Sequence, residues 1–352
     1  MPIVQSRRHL LTNIAVAGAT GFAGLGAAGL HGGRKSLAAE PPPEITTIRF
    51  EKDPVTCLAP QAAEDLLRAE GFTDIRYVDI TDAHVRRAET ARSGAVGDMF
   101  AHNEVDFART FVPSLIMAME AGAPITTLAG LHVGCFEVFG KNDIRAMADL
   151  KGRTVGIAAA FEDELLVKIM AGLVGLDPAK DIRWVTSLSR GPMELFAEGK
   201  IDAFIAISPT LQEVRARNIG HVIVSSLADR PWSQYYCCFF AARTDFARAY
   251  PVATRRVLRA VLKAADLCAS APERIAQLLV DAGYTTRYDY ALQALKGDIR
   301  YNVWRDYDSE DTLRFYALRM QEAGLIKSSP QKLIAEYTDW RFIDELKREL
   351  KI

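Results

Sequence analysis

The 352-residue chain is poor in the marks that most enzymes and nucleic-acid-binding proteins carry. It has neither a G-x-S-x-G elbow nor a P-loop, so the usual signatures of acyl and phosphoryl transfer are missing. Its five cysteines, Cys57, Cys135, Cys237, Cys238 and Cys268, include no Cys-x-x-Cys spacing, which excludes a zinc ribbon. An odd, scattered set is not a disulfide framework either. Cys237 and Cys238, flanked by aromatics in "YYCCFF", read as small buried hydrophobes of a strand, with a vicinal disulfide as the alternative. No basic run exists, which argues against a nucleic-acid partner. His102, Glu104 and Asp106 alternate as strand neighbours do but make a poor metal set. No enzymatic activity, cofactor or resident metal is expected.

Only one apolar run approaches membrane-spanning length, Leu10–Leu30, and it contains "GLGAAG", the letters of a dinucleotide-binding loop. That loop works only where a strand feeds it and a helix leaves it. The preceding "SRRHLLTNIAVAGATGFA" holds no β-branched strand. The following "LHGGRKSLAAEPPP" cannot supply both a helix and a second strand before Glu44. An export signal fits every part. Arg7 and Arg8 open it, a weakly hydrophobic Gly/Ala core follows, and Arg34 and Lys35 precede small residues at Ser36, Ala38 and Ala39. The paired arginines resemble the twin-arginine (Tat) type, with Leu10 where Phe is common. An uncleaved anchor is the rival reading, and the absence of cysteine before Cys57 excludes lipid attachment. Residues 1–39 are read as a signal peptide that places the mature chain in the periplasm.

Beyond residue 39 the chain carries a formal charge of −5, mildly acidic, and it is long enough for two lobes. Arg255, Arg256, Arg259 and Lys263 read as one exposed helix face, opposite Val257, Leu258, Val261 and Leu262. The most informative feature is an internal duplication. "IRFE" at 48–51 pairs with "VGIA" at 155–158, and "DIRYV" at 74–78 with "DIRWV" at 181–185, both at an offset of 107. "MFAHNEVDFARTFVPSL" (99–115) then parallels "LFAEGKIDAFIAISPTL" (195–211), matching Asp106 to Asp202 at an offset of 96. Each copy reads strand–helix–strand–helix–strand, with helices in "PQAAEDLLRAEG" and "DELLVKIMAGLVG" ending at glycine. That pattern predicts an α/β fold with parallel sheets.

With the duplication in place, the landmarks "DLKGRTVGIAAA" (149–160), "GLDPAKDIRWV" (175–185), "AEGKIDAFIAISP" (197–209) and "ADLCASAPERIAQLLVDAG" (265–283) carry a family likeness. The chain resembles the nitrate/sulfonate/taurine-type (SsuA/THI5-like, NMT1-like) substrate-binding proteins of ABC importers, over everything past the signal. The resemblance implies a type II periplasmic binding protein, two α/β lobes with a hinge and an interlobe ligand cleft. It also implies a monomer whose partners are a small-molecule ligand and an ABC permease with its ATPase. Lobe 1 is read as 40–137, lobe 2 as 138–239, and 240–352 as the return to lobe 1. Hinge strands are expected near Val133–Gly140 and Tyr235–Ala242.

Cleft residues belong in loops after strand C-termini. These are Asp53, Thr56 and Cys57 after the first strand, Thr110 and Phe111 after "VDFART", and His132 at the hinge. In lobe 2 they are Phe161, Glu162, Asp163, Ser208 and Thr210, with Arg230, Trp232 and Tyr235 from "DRPWSQYY". The plainer alternatives are a helix cap at Asp163, a satisfied hinge histidine at His132 and packing at Phe161 and Trp232. Two carboxylates at a helix start would compete with an anion for its N–H groups, so the expected ligand is neutral or cationic, such as a nitrogen heterocycle. The rival functions are a binding protein serving a sensor and an enzyme akin to the yeast-type pyrimidine-precursor synthases, which carry a cysteine-rich strand where this chain has "YYCCFF".

Overall fold

A computed structural model describes residues 40–52, 59–80, 93–157, 161–186 and 191–350, with backbone alone for 161–163. The signal-peptide reading of residues 1–39 lies outside them. Strand β1 (Thr47–Lys52) alternates as the sequence does: Ile48 and Phe50 are fully buried, while Thr47 and Arg49 are half-buried. It pairs in parallel with β2 (Asp74–Asp79) and β3 (Phe107–Phe111). Strand β4 (Ile125–Gly134) is buried at all ten positions, as a strand covered on both faces must be. The six-stranded sheet is completed late in the chain. β10 (Cys238–Arg243) inserts antiparallel between β3 and β4, and the short β11 (Ile299–Arg300) lies along the far edge of β4.

The second sheet has five strands, all from one continuous stretch: β5 (Phe136–Gly140), β6 (Arg153–Ile157), β7 (Ile182–Thr186), β8 (Ala203–Ile207) and β9 (His221–Ser225). Their order is β7-β6-β8-β5-β9, with β6 parallel to β7 and β8, and β5 antiparallel to β8 and β9. The same order, β2-β1-β3-β10-β4, runs through the first sheet. In both, the antiparallel strand arrives directly from the other sheet. The chain crosses once at Cys135, between β4 and β5, and once over residues 226–237, between β9 and β10. The second crossing ends where the expected one, Tyr235–Ala242, begins to form β10.

The duplication is present with one adjustment. Arg76 pairs with Arg49, and Arg183 pairs with Thr154, so β1 aligns with β6 through Arg49 and Thr154, two residues away from the "IRFE"/"VGIA" match. A slip of two keeps the same residues facing the core, so hydrophobic pattern alone does not detect it.

The two helices expected to stop at glycine do so. Helix Glu64–Ala69 is followed by Gly71 (φ +104°) and helix Phe161–Leu173 by Gly175 (φ +80°), left-handed positions that favour glycine. The long helix Pro251–Ser270 buries Val257, Leu258, Val261 and Leu262 completely against the first lobe. Its basic face is not the free surface expected. Arg259 is 6% exposed and grips Glu70 through two nitrogens, while Glu349 from the C-terminal helix bonds both Arg259 and Arg255. Helix Arg341–Glu349 covers this face, and the arginines serve as ties between elements. Among the described residues, no helix is long and apolar enough to cross a membrane.

The cysteines also differ from expectation. Cys238 is a buried thiol in β10, but Cys237 is disulfide-bonded to Cys135, 102 residues away. The spacing rules that discount an odd set see only sequence. Here the two crossings bring one cysteine each to the same place.

Candidate ligand cleft and crossover

Helix Val112–Glu120 starts at the C-terminal end of β3, and helix Phe161–Leu173 starts just past the end of β6. The two helices pack against each other, and helix Ser309–Glu322 packs on both. The strand ends of the two sheets therefore look toward one interlobe region, where open α/β sheets bind ligands.

Asp53, Thr56 and Cys57 lie outside the described residues. Phe161, Glu162 and Asp163 form the first turn of their helix, with only the backbone described. The remaining sites fall into two groups. Phe111, Cys238 and His132 lie side by side in one row across β3, β10 and β4. Phe111 sets its ring edge-on to Phe136 just beyond the first crossing (centroids 6.2 Å), and Thr110 is buried beside Phe239. His132 is fully buried, 5.3 Å from the Tyr301 ring, and its carbonyl accepts the Cys237 N–H at 2.8 Å.

The second group belongs to the return crossing. Trp232 is buried edge-on to Phe315 and tilted against Tyr316, while Tyr235 stacks on Phe315 at 4.1 Å. These aromatics clamp the crossing onto helix Ser309–Glu322. Arg230 is exposed, two residues before Trp232. Ser208 is buried, and its hydroxyl accepts from Gln212 Nε2 at 2.7 Å; Thr210 opens helix Thr210–Ala216.

Two clusters have no counterpart in the sequence reading. At the end of β1, Glu51 is 1% exposed, accepts the Arg109 backbone N–H at 3.1 Å and faces the Arg109 guanidinium at 3.7 Å. Arg109 also reaches Cys238 Sγ at 3.8 Å. Their only sequence signal is the lone charge Arg109 in β3, since β1 carries Arg49 and Lys52 beside Glu51 and nothing marks which of these is buried.

The other cluster joins the lobes. Arg215, on the five-stranded side, bonds Glu137 of β5 and Asp298 of the segment before β11, each at 2.6 Å. Asp298 also accepts from Gln212 at 2.7 Å, and its backbone carbonyl accepts the Cys135 N–H at 2.9 Å. Burial pushes the Glu137 carboxyl above its ordinary range, with Asp298 adding to the push, and the Arg215 contacts only partly offset this. The void here is about 10 Å³, room for no more than one water, so the cluster is a tie and not a ligand pocket.

A family profile described as NMT1/THI5 like matches residues 84–275, more than half of the chain. The chain belongs to the NMT1/THI5-like family. Among curated relatives, a protein of Brucella abortus (strain 2308) named only as a binding protein is 23% identical over 137 residues, 39% of this chain. The match spans 43% of that relative's length. Among solved structures, the periplasmic nitrate-binding protein NrtA of Synechocystis PCC 6803 superposes with a TM-score of 0.69 at 16% identity, covering 88% of this chain and 90% of its own. The alkanesulfonate-binding protein SsuA of Xanthomonas axonopodis pv. citri, bound to MOPS, gives 0.64 at 14% identity, covering 86% and 100%. These likenesses establish for this NMT1/THI5-like chain the two-lobe fold of periplasmic binding proteins.

Proposed function

We propose that this NMT1/THI5-like protein is the periplasmic solute-capturing component of an ABC importer, exported by a twin-arginine signal and delivering its ligand to a permease and ATPase. The carrying observation is the pair of duplicated sheets, one whose strands lie before Cys135 and after Cys237 and one whose strands lie between Phe136 and Ser225, joined by two crossings with their strand ends turned toward one interlobe region. A ligand that touches both lobes only when they close shifts the population toward the closed form in proportion to that difference in affinity. To the first lobe's side of the cleft we assign Phe111, Thr110 and His132, together with Asp53, Thr56 and Cys57. To the second lobe's side we assign Phe161, Glu162, Asp163 and Ser208, with Arg230 and Trp232 of the return crossing.

The ligand we infer is neutral or cationic, such as a nitrogen heterocycle. Support comes from the helix start at Phe161-Glu162-Asp163, where two acidic residues fall in the first turn, whose N–H groups an anion would need. Calorimetric titration of refolded, ligand-free protein with nitrate, taurine and an aminopyrimidine tests this. Binding of the aminopyrimidine alone is expected, and micromolar binding of nitrate or taurine overturns the ligand class. If native mass spectrometry of the periplasmic protein and a thermal-shift screen of metabolites both find no small molecule, the capture reading itself falls.

A further inference from the structure

We propose that Cys135 and Cys237 form a redox-controlled staple across the two interlobe crossings, which restricts lobe opening when oxidised and releases it when reduced. This rests on the two-lobe capture reading and adds a control to it. The five-stranded lobe is attached to the rest of the chain only at Cys135 and through residues 226–237, and the bond joins these two attachments. The loop it closes contains the whole second lobe.

The surroundings make the bond a constraint on the hinge. The first crossing is already fixed in direction. Gly134 (φ +92°) and Cys135 (φ +102°) are both left-handed, and a Cβ on Gly134 would meet the Asp298 carbonyl at 2.3 Å. The Cys135 N–H is held by that same carbonyl, while the Asp298 carboxylate ties to Arg215 and Gln212 in the second lobe. The second crossing spans twelve residues; Ser226 is bonded to Phe136 at its second-lobe end, and Trp232, Tyr235 and Tyr236 hold its later part on helix Ser309–Glu322, which leaves residues 227–231 between the two anchorages. It offers the adjustable torsions of the hinge. Cys237 is itself seated in the first lobe, its N–H on the His132 carbonyl and its own carbonyl accepting the Val112 N–H, so the bond pins Cys135, the residue that leads into β5, to that frame and stiffens the pivot on which the second lobe turns.

The chemistry is a thiol–disulfide exchange with a dithiol protein of the compartment. Its thiolate attacks one sulfur of the bond, and the partner's second thiol then resolves the mixed disulfide. The chain gains two thiols and the partner gains one disulfide, so two electrons and two protons balance; the reverse reaction forms the staple. Both sulfurs belong to residues at most 3% exposed, so exchange requires an opened form, which couples reactivity to the hinge.

The test uses full-length protein exported to the periplasm and purified under a thiol-blocking reagent. A non-reducing peptide map is expected to link the Cys135 and Cys237 peptides and to find Cys57, Cys238 and Cys268 blocked. Small-angle scattering is expected to show a larger radius of gyration with a phosphine reductant than without it. C135S/C237S should give the larger value in both conditions, and C238S should respond like the parent. Blocking of all five cysteines overturns the proposal, as does a Cys237–Cys238 link. A metal retained by His132, Cys135 and Cys237, whose ligand atoms lie within 4.8 Å of one another, overturns it too. So does a formed bond whose reduction leaves scattering unchanged, a comparison that stands even if the serine variants misfold. Loss of the capture reading is recognised separately, as absence of ligand in both redox states with the scattering shift intact.

Discussion

Asp106 and Asp202 make the same contacts in the two sheets. Each accepts the backbone N–H of the strand beside it, Arg49 and Thr154 respectively, at 2.9 Å, and each returns its own N–H to that residue's carbonyl. Each also holds a cation, Arg49 for Asp106 and Lys141 for Asp202. The duplicated aspartate is thus a clasp at the start of β3 and β8.

Removing either clasp leaves a strand N–H without its acceptor. We expect D106A to cost about 3 kcal/mol, because Arg243 is also nearly buried against it, and D202A about 1–3 kcal/mol. Urea melts of the single variants check this, and equal, negligible losses would remove the clasp.

Gly130 and Gly134 carry opposite kinds of constraint. A methyl on Gly130 would lie 2.3 Å from the buried Tyr236 ring, so G130A should cost about 1–3 kcal/mol through overpacking. G134A adds an unfavourable backbone conformation to its clash with the Asp298 carbonyl and should cost more than about 1 kcal/mol. Y236A should rescue part of the first loss and none of the second, measured as thermal midpoints.

Two carboxylates should give pH dependences of opposite sign. Burial raises the Glu137 carboxyl, so its contribution to stability is complete below about pH 4.3 and is lost as pH rises through its raised value. Burial also works against the Asp202 charge, but Lys141 and the Thr154 N–H outweigh it and lower its pKa. Its contribution is present above about pH 3.9 and disappears as pH falls through the lowered value. Relative to wild type, E137Q should gain stability with rising pH from 4 to 8. D202N should lose its deficit below pH 4.

Arg259 should be the costliest of the basic residues on its helix. R259A is expected to lose about 3 kcal/mol, because it takes a two-nitrogen partner from the mostly buried Glu70, whereas Glu349 is exposed and keeps Arg255. R259K should recover little, since one ammonium cannot reproduce the two-nitrogen grip on Glu70. Chemical denaturation ranks them, and a neutral R259A would mean the tie contributes nothing.

Much of the fold was legible because its signals are local. Strand alternation at Ile48 and Phe50, glycine stops at Gly71 and Gly175, and the paired aspartates each declare themselves within a few residues. The two-residue slip of β1 against β6 was invisible because a period-two pattern is unchanged by it. Arg259, Asp298 and the Cys135–Cys237 bond depend on partners 83 or more residues away or on the path of a crossing, which no local pattern encodes. Asp298 in particular sits in "LKGDIR" with nothing to mark it as a tie between lobes.

The placement of β10 has a consequence for the newly made chain. The second sheet is finished as soon as Ser225 has emerged, since all five of its strands lie between Phe136 and Ser225. The first sheet must keep β3 and β4 apart until a strand arrives whose contact with Arg109 spans 129 residues. Synthesised from its N-terminus, the protein therefore completes its second half first. Its first half waits as an unfinished sheet with an open gap, the stretch of its life in which a chaperone has most to hold.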